Sequence, residues 1–358
     1  MNLRVSINIS PLRGLDFKPR SSGTVYEHMK NLTVFLIGLF LVAFASSCNR
    51  SSSGSKSFTI AVVPQGSTHE FWKSIHAGAV KATQDLKQEG VEINLIWKGP
   101  LREDDREQQI QVVEGFVSQG VNGIVLAPFD KDALVRPVQE AKQSGIPTVV
   151  VDSPLNSNDP IAVVATNNFH GGEMAAEHLA KLINGKGKVM LRRYQEGVAS
   201  TDARERGFIE KMKSFPGIQV ISSDQYAGAT RDTAKTAAEN MLNRFGDDIQ
   251  GIFTPNESST LGTLLALEDL HRSGRIRFVG FDTSDALLDA LRAKKLDGVI
   301  VQNPFKMGEI GVKTIISAIQ KKSFENRVDT GETLITLENL DAPESQALVH
   351  PPIDKYLK

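Results

Sequence analysis

The chain has 358 residues, a length that accommodates about two domains of ordinary size. Apolar residues make up 40% and charged residues 23%, with 41 Lys and Arg against 42 Asp and Glu. This is a globular composition without the basic stripe that binding a row of phosphates requires. The single cysteine, Cys48, excludes an internal disulfide framework, a thiolate zinc cage and a cysteine-ligated iron–sulfur cluster.

In chain order, the first feature is an address. Lys30 supplies a positive start, Leu32 to Phe44 is an apolar run broken only by Thr33 and Gly38, and the small residues Ala45, Ser46 and Ser47 lead into Cys48. That order reads as a secretory signal and is too short for a comfortable transmembrane helix. The ASSC segment resembles the lipobox of bacterial lipoproteins, which implies export and lipidation at Cys48. Residues 1–47 are read as an upstream extension plus signal peptide, with translation expected to start at Met29 rather than Met1. Their removal takes away five basic and two acidic residues, leaving 36 against 40. Residues 48–57 form a Ser/Gly-rich flexible spacer.

From Phe58 onward, short apolar runs alternate with helical periodicity. Strands are expected at 58–63, 91–97, 123–127, 147–151 and 161–165, with helices at 70–88, 105–119 and 132–143 between them. A second series has helices at 172–183, 203–213, 231–244 and 259–270 and strands at 188–191, 218–222, 251–253 and 276–281. Strands that are apolar throughout and separated by helices predict an α/β fold of two doubly wound, parallel-sheet lobes. Ligands of such sheets sit outside the carboxyl ends of the strands. Polar or aromatic residues stand there repeatedly: Gln65 and the loop to His69, Phe71 and Trp72, then Asp152-Ser153, Arg206 in STDARERGF, Asn256 in FTPNES, Asp282 in VGFD and Gln302 in VIVQNP.

Wording and spacing over about residues 58–337 resemble the bacterial periplasmic sugar-binding proteins of the ribose/galactose type, the type 1 periplasmic binding protein fold. The resemblance implies a three-strand hinge with crossings near Asn167, Gln302 and Gly331. One lobe would be 58–167 plus 303–331, the other 168–302 plus 332–358. It implies ligand contacts from Gln65, His69, Phe71, Trp72, Asp152, Ser153, Arg206 (the second arginine of the ARERG motif), Asn256, Asp282 and Gln302, and a capping aromatic near Ala229 or at Tyr226. Ser153 and His69 stand where ribose binders carry arginine and asparagine, which points away from ribose itself.

The chemistry suits a sugar on its own terms. Planar Asp, Asn, Gln and Arg side chains each engage two neighbouring hydroxyls, and aromatic faces cover the ring's apolar side. Taken singly, Asp152 and Asp282 have a plainer use as caps of the helices that follow their strands. No dinucleotide, P-loop, HExxH or GxSxG motif is present, and His170, His178 and His271 lack partners at ligand spacing. No enzyme activity, cofactor or metal is therefore expected. The expected function is a lipid-anchored, monomeric solute-binding protein of the cell envelope that delivers a monosaccharide or polyol to an ABC permease with its ATPase. The alternative is a receptor for a sensor kinase or chemoreceptor. A sugar-responsive repressor of the same fold is disfavoured by an export signal where a DNA-binding helix pair should stand.

Overall fold

The structure, a computed structural model, describes residues 57–357. The expectations for the signal, Cys48 and all but the last residue of the spacer lie outside the described residues. The first series is β1 (Ser57–Val63), α1 (Glu70–Gln88), β2 (Glu92–Trp97), α2 (Arg106–Gln119), β3 (Gly123–Leu126), α3 (Val135–Gln143), β4 (Thr148–Val151) and β5 (Ala162–Ala165). The second is α4 (Asn168–Leu182), β6 (Gly187–Arg193), α5 (Ala199–Met212), β7 (Ile218–Tyr226), α6 (Arg231–Phe245), β8 (Gly251–Phe253), α7 (Glu257–Asp269), β9 (Arg277–Phe281), α8 (Asp285–Arg292) and β10 (Gly298–Gln302). The chain closes with α9 (Pro304–Ile319), β11 (Arg327–Asp329), β12 (Glu332–Ile335), α10 (Pro343–Val349) and α11 (Ile353–Tyr356).

These elements build two six-stranded sheets, ordered β11-β5-β4-β3-β1-β2 and β12-β10-β9-β8-β6-β7. Every pairing is parallel except that of β12 with β10. The apolar strands β3, β4 and β8 are buried along their whole length because helices cover both faces of each sheet. Ile60, Val125 and Val149 face one core of the first lobe, whereas Ala61, Ile124 and Leu126 face the other. The second sheet divides its side chains between two cores in the same way, with Met190 and Ile252 on one face and Leu191 and Phe253 on the other. This is the two-lobed type 1 periplasmic binding protein architecture. The chain passes between the sheets at Thr166–Asn167, at Asn303 and at Thr330–Gly331, where the Thr166 hydroxyl donates to the Gly331 carbonyl at 3.1 Å.

Each lobe has a helix pair whose backbones touch. A Cβ on Gly78 of α1 would lie 1.9 Å from the Phe305 carbonyl oxygen of α9, and one on Gly172 of α4 would lie 1.9 Å from that of Arg204 on α5. Only glycine permits this approach. The second contact seats α5 and so fixes where Arg204 emerges.

Several boundaries differ from expectation. α3 starts at Val135, since the Asp130 carboxylate accepts from the Asp132 and Ala133 N–H groups and holds a turn there. α5 starts at Ala199, four residues early, and β7 continues past Ser222 to Tyr226 through irregular pairing with β6. Placing all of 332–358 with the second lobe also needs correction. α11 packs on α1 of the first lobe, with the Tyr356 ring 5.6 Å from that of Phe305.

Candidate functional site

The carboxyl ends of strands from both sheets face one another across a cleft. Asp152 follows β4 and Asp282 follows β9, and both hold φ near +62°, the left-handed region that aspartate tolerates better than most residues. Neither caps a helix. Ser153 N–H donates back to the Val151 carbonyl at 2.7 Å, and the N-cap of α8 is Ser284. The unusual backbone instead turns each carboxylate toward a single guanidinium. Arg204, 2% exposed, lies 3.9 Å from Asp152 and 3.7 Å from Asp282. It also donates to Asn168 Oδ1 and the Pro255 carbonyl, both at 2.8 Å, and stacks 3.9 Å from the centre of the Phe281 ring.

A glutamine backs each aspartate. Gln302, the last residue of β10, donates Nε2–H to Asp282 at 2.8 Å, and Gln65, just past β1, donates to Asp152 at 3.4 Å and to the Pro128 carbonyl at 3.0 Å. Gln302 Oε1 is buried and has no partner in the structure. Burial pushes the Asp152 carboxyl up to about 7, with Arg204 opposing and Asp282 and Glu103 adding to the rise. Asp282 is raised too, by burial, against the pull of Arg204 and Gln302. Burial also lowers the Arg204 guanidinium, although both aspartates resist this.

The cleft walls come from α1, the loop after β2, and the ends of β6 and β8. His69 caps α1, its Nδ1 accepting from Phe71 N–H at 3.1 Å, and its Nε2 reaches Glu257 of the second lobe at 2.8 Å. Burial pulls the ring down, but Glu257, Glu103 and Asp282 outweigh it and the net shift is upward. Glu257 is lowered: burial raises it, and His69 and Arg231 prevail. The Trp72 indole N–H and the Tyr194 hydroxyl both donate to Glu103, each at 2.7 Å. Asn256 caps α7 by accepting from Ser259 N–H at 3.3 Å, which holds it at the edge of the cleft. With the lobes in this arrangement the enclosed space is about 40 Å³. Small-molecule sites usually offer roughly 300–1,000 Å³, so entry of a ligand requires the lobes to part.

Gln65, His69, Phe71, Trp72, Asp152, Asn256, Asp282 and Gln302 thus line one space. Two expected residues do not. Arg206 is exposed beside a separate groove of about 530 Å³, because two residues along a helix is roughly 200° of rotation and carries it away from Arg204. Ser153 is turned into the lobe interface, where its hydroxyl accepts from Ser200 N–H at 3.2 Å. Nor do the two expected positions supply an aromatic cap. Tyr226 is 39% exposed and holds Arg193 over its ring, and Ala229 packs beside Tyr194. Tyr194, 1% exposed, takes that place. Sequence reasoning also missed Glu103, and it reached Glu257 only as the neighbour of Asn256 in FTPNES. The strand-end rule applied to β6 points at Tyr194. Among the described residues, no three His, Cys, Asp or Glu side chains are grouped to hold a metal.

Comparison with known proteins agrees with this architecture. The sequence profile described as the periplasmic binding protein domain matches residues 60–323. The ribose import binding protein of Bacillus subtilis is 28% identical over 304 residues, covering 82% of this chain and 94% of its own. The xylitol-binding protein of Mycolicibacterium smegmatis is 27% identical over 267 residues, 75% of this chain and 73% of its own. A carbohydrate transporter solute-binding protein from Agrobacterium radiobacter, solved in complex with D-arabinose, superposes with a TM-score of 0.77 at 30% identity, covering 83% of this chain and all of that one.

Proposed function

The chain belongs to the periplasmic binding protein domain family, and from that premise we propose that it is the solute-binding component of an ABC-type sugar importer, taking a monosaccharide or polyol between its lobes. The observation that carries this reading is the Asp152–Arg204–Asp282 array, in which planar hydrogen-bonding groups from both lobes meet in one buried cleft. Each such group can engage a pair of adjacent hydroxyls, and Gln302 Oε1 adds an acceptor whose partner would be a ligand hydroxyl. Phe71, Trp72 and Tyr194 supply ring faces for the C–H side of a sugar. The ribose, xylitol and D-arabinose binders among the relatives support the same ligand class.

Ligand binding closes the lobes about the three crossings, because only the closed form presents all of these groups at once. The permease then reads closure, and the sugar leaves unaltered. Export and lipidation at Cys48 hold the protein at the envelope membrane, with two or three acyl chains contributing about 0.8 kcal/mol per buried methylene. The test is a thermal-shift panel of aldoses, deoxysugars and polyols on the purified protein. A bound ligand at a hundredfold excess over its Kd adds about 2.7 kcal/mol of apparent stability. A melting temperature unmoved by every member of the panel contradicts the proposal.

A further inference from the structure

The cations around the cleft are committed to particular carboxylates. Arg204 lies between Asp152 and Asp282, and His69 and Arg231 both reach Glu257, the latter at 2.7 Å. Glu103 differs. No Lys, Arg or His among the described residues forms an ion pair with it within 4 Å. Its two oxygens are held instead by neutral donors, the Trp72 indole of the first lobe and the Tyr194 hydroxyl of the second. It lines the 40 Å³ space directly, so a ligand that opens this space must meet it.

We propose that Glu103 is a specificity-determining residue that accepts a hydrogen bond from a ligand hydroxyl and whose carboxylate, without an ion-pair partner within 4 Å, bars sugars carrying a carboxylate or phosphate. The inference rests on the reading of the cleft as a sugar site and narrows its ligands to uncharged sugars and polyols. A hydroxyl can replace the Tyr194 or Trp72 donor at Glu103 without loss of a bond. An anionic group there brings two like charges together, with no described cation within 4 Å of Glu103 to separate them.

The experiment is calorimetric titration of the full protein with matched pairs: D-ribose and D-ribose 5-phosphate, D-galactose and D-galacturonate, xylitol and D-xylonate. The wild type is expected to bind at least one neutral member a hundredfold or more tighter than its anionic counterpart. In Glu103→Gln that ratio narrows at least tenfold, and its dependence on salt weakens. An anion bound within threefold of its neutral partner, or an unchanged ratio in a variant whose circular dichroism matches wild type, overturns the charge inference and leaves the sugar reading standing. If neither these pairs nor the wider panel bind, the sugar reading fails and this inference fails with it.

Discussion

The first lobe and the second each bring a glutamine and an aspartate to the cleft: Gln65 with Asp152, Gln302 with Asp282. Both aspartates take a positive φ at the carboxyl end of an interior strand. The lobes diverge in what stands between these pairs. The second lobe alone supplies the cation, Arg204, seated by the glycine contact of α4 with α5, whereas the corresponding contact of α1 with α9 seats a helix that opens on His69, Phe71 and Trp72. The first lobe thus offers most of the aromatic surface, and the second offers the guanidinium that both aspartates share. Neither is a complete site alone, and this dependence makes closure the binding event.

Removing the shared cation breaks the comparison most severely. Arg204→Met leaves two buried carboxylates without a counter-charge, a change that costs about 3–5 kcal/mol at buried pairs. Denaturant unfolding should show that loss, and calorimetry at least a hundredfold weaker sugar binding, whereas Arg206→Met should stay within twofold of wild type in both.

A second test uses pH to read the buried aspartate of the first lobe. The native Asp152 carboxyl, raised from 3.8 to about 7, holds its proton more tightly than the unfolded chain does. Its contribution to stability is therefore present at low pH, falls as pH rises from about 4 to 7, and is level above that. In Asp152→Asn this decline should shrink in thermal melts without vanishing, since burial raises Asp282 and Glu205 as well, and sugar binding should weaken about tenfold.

The smallest effect concerns the bridge between lobes. With its pKa raised, His69 contributes fully to the closed form below its ordinary value of 6.5, and the contribution is lost as pH rises through the raised value. Small-angle scattering should show a closed fraction that falls about two- to fivefold across that range, and His69→Gln should remove the pH dependence.

The architecture was legible because its strands are buried on both faces and so read as unbroken apolar runs, with Gly120 and Gly145 ending helices between them. Strand-end logic located Gln65, Asp152, Asp282 and Gln302 for the same reason. Arg204 was lost to Arg206 by helical phase: Arg204 shares its buried face with Gly207 and Phe208, a pattern that becomes visible once the helix is begun at Ala199. Glu257 sits in the first turn of α7, where an acidic residue ordinarily needs no explanation beyond the helix dipole. Glu103 stands in an irregular loop with no periodicity to aim it, and only the folded chain brings it between Trp72 and Tyr194.

The most direct test of a cleft that grips a sugar with both lobes is a paired calorimetric titration of wild type and Asp282→Ala with the sugar that raises the melting temperature most. The account predicts one site per chain in the wild type and at least tenfold weaker binding in a variant that remains folded. Equal affinities would contradict it.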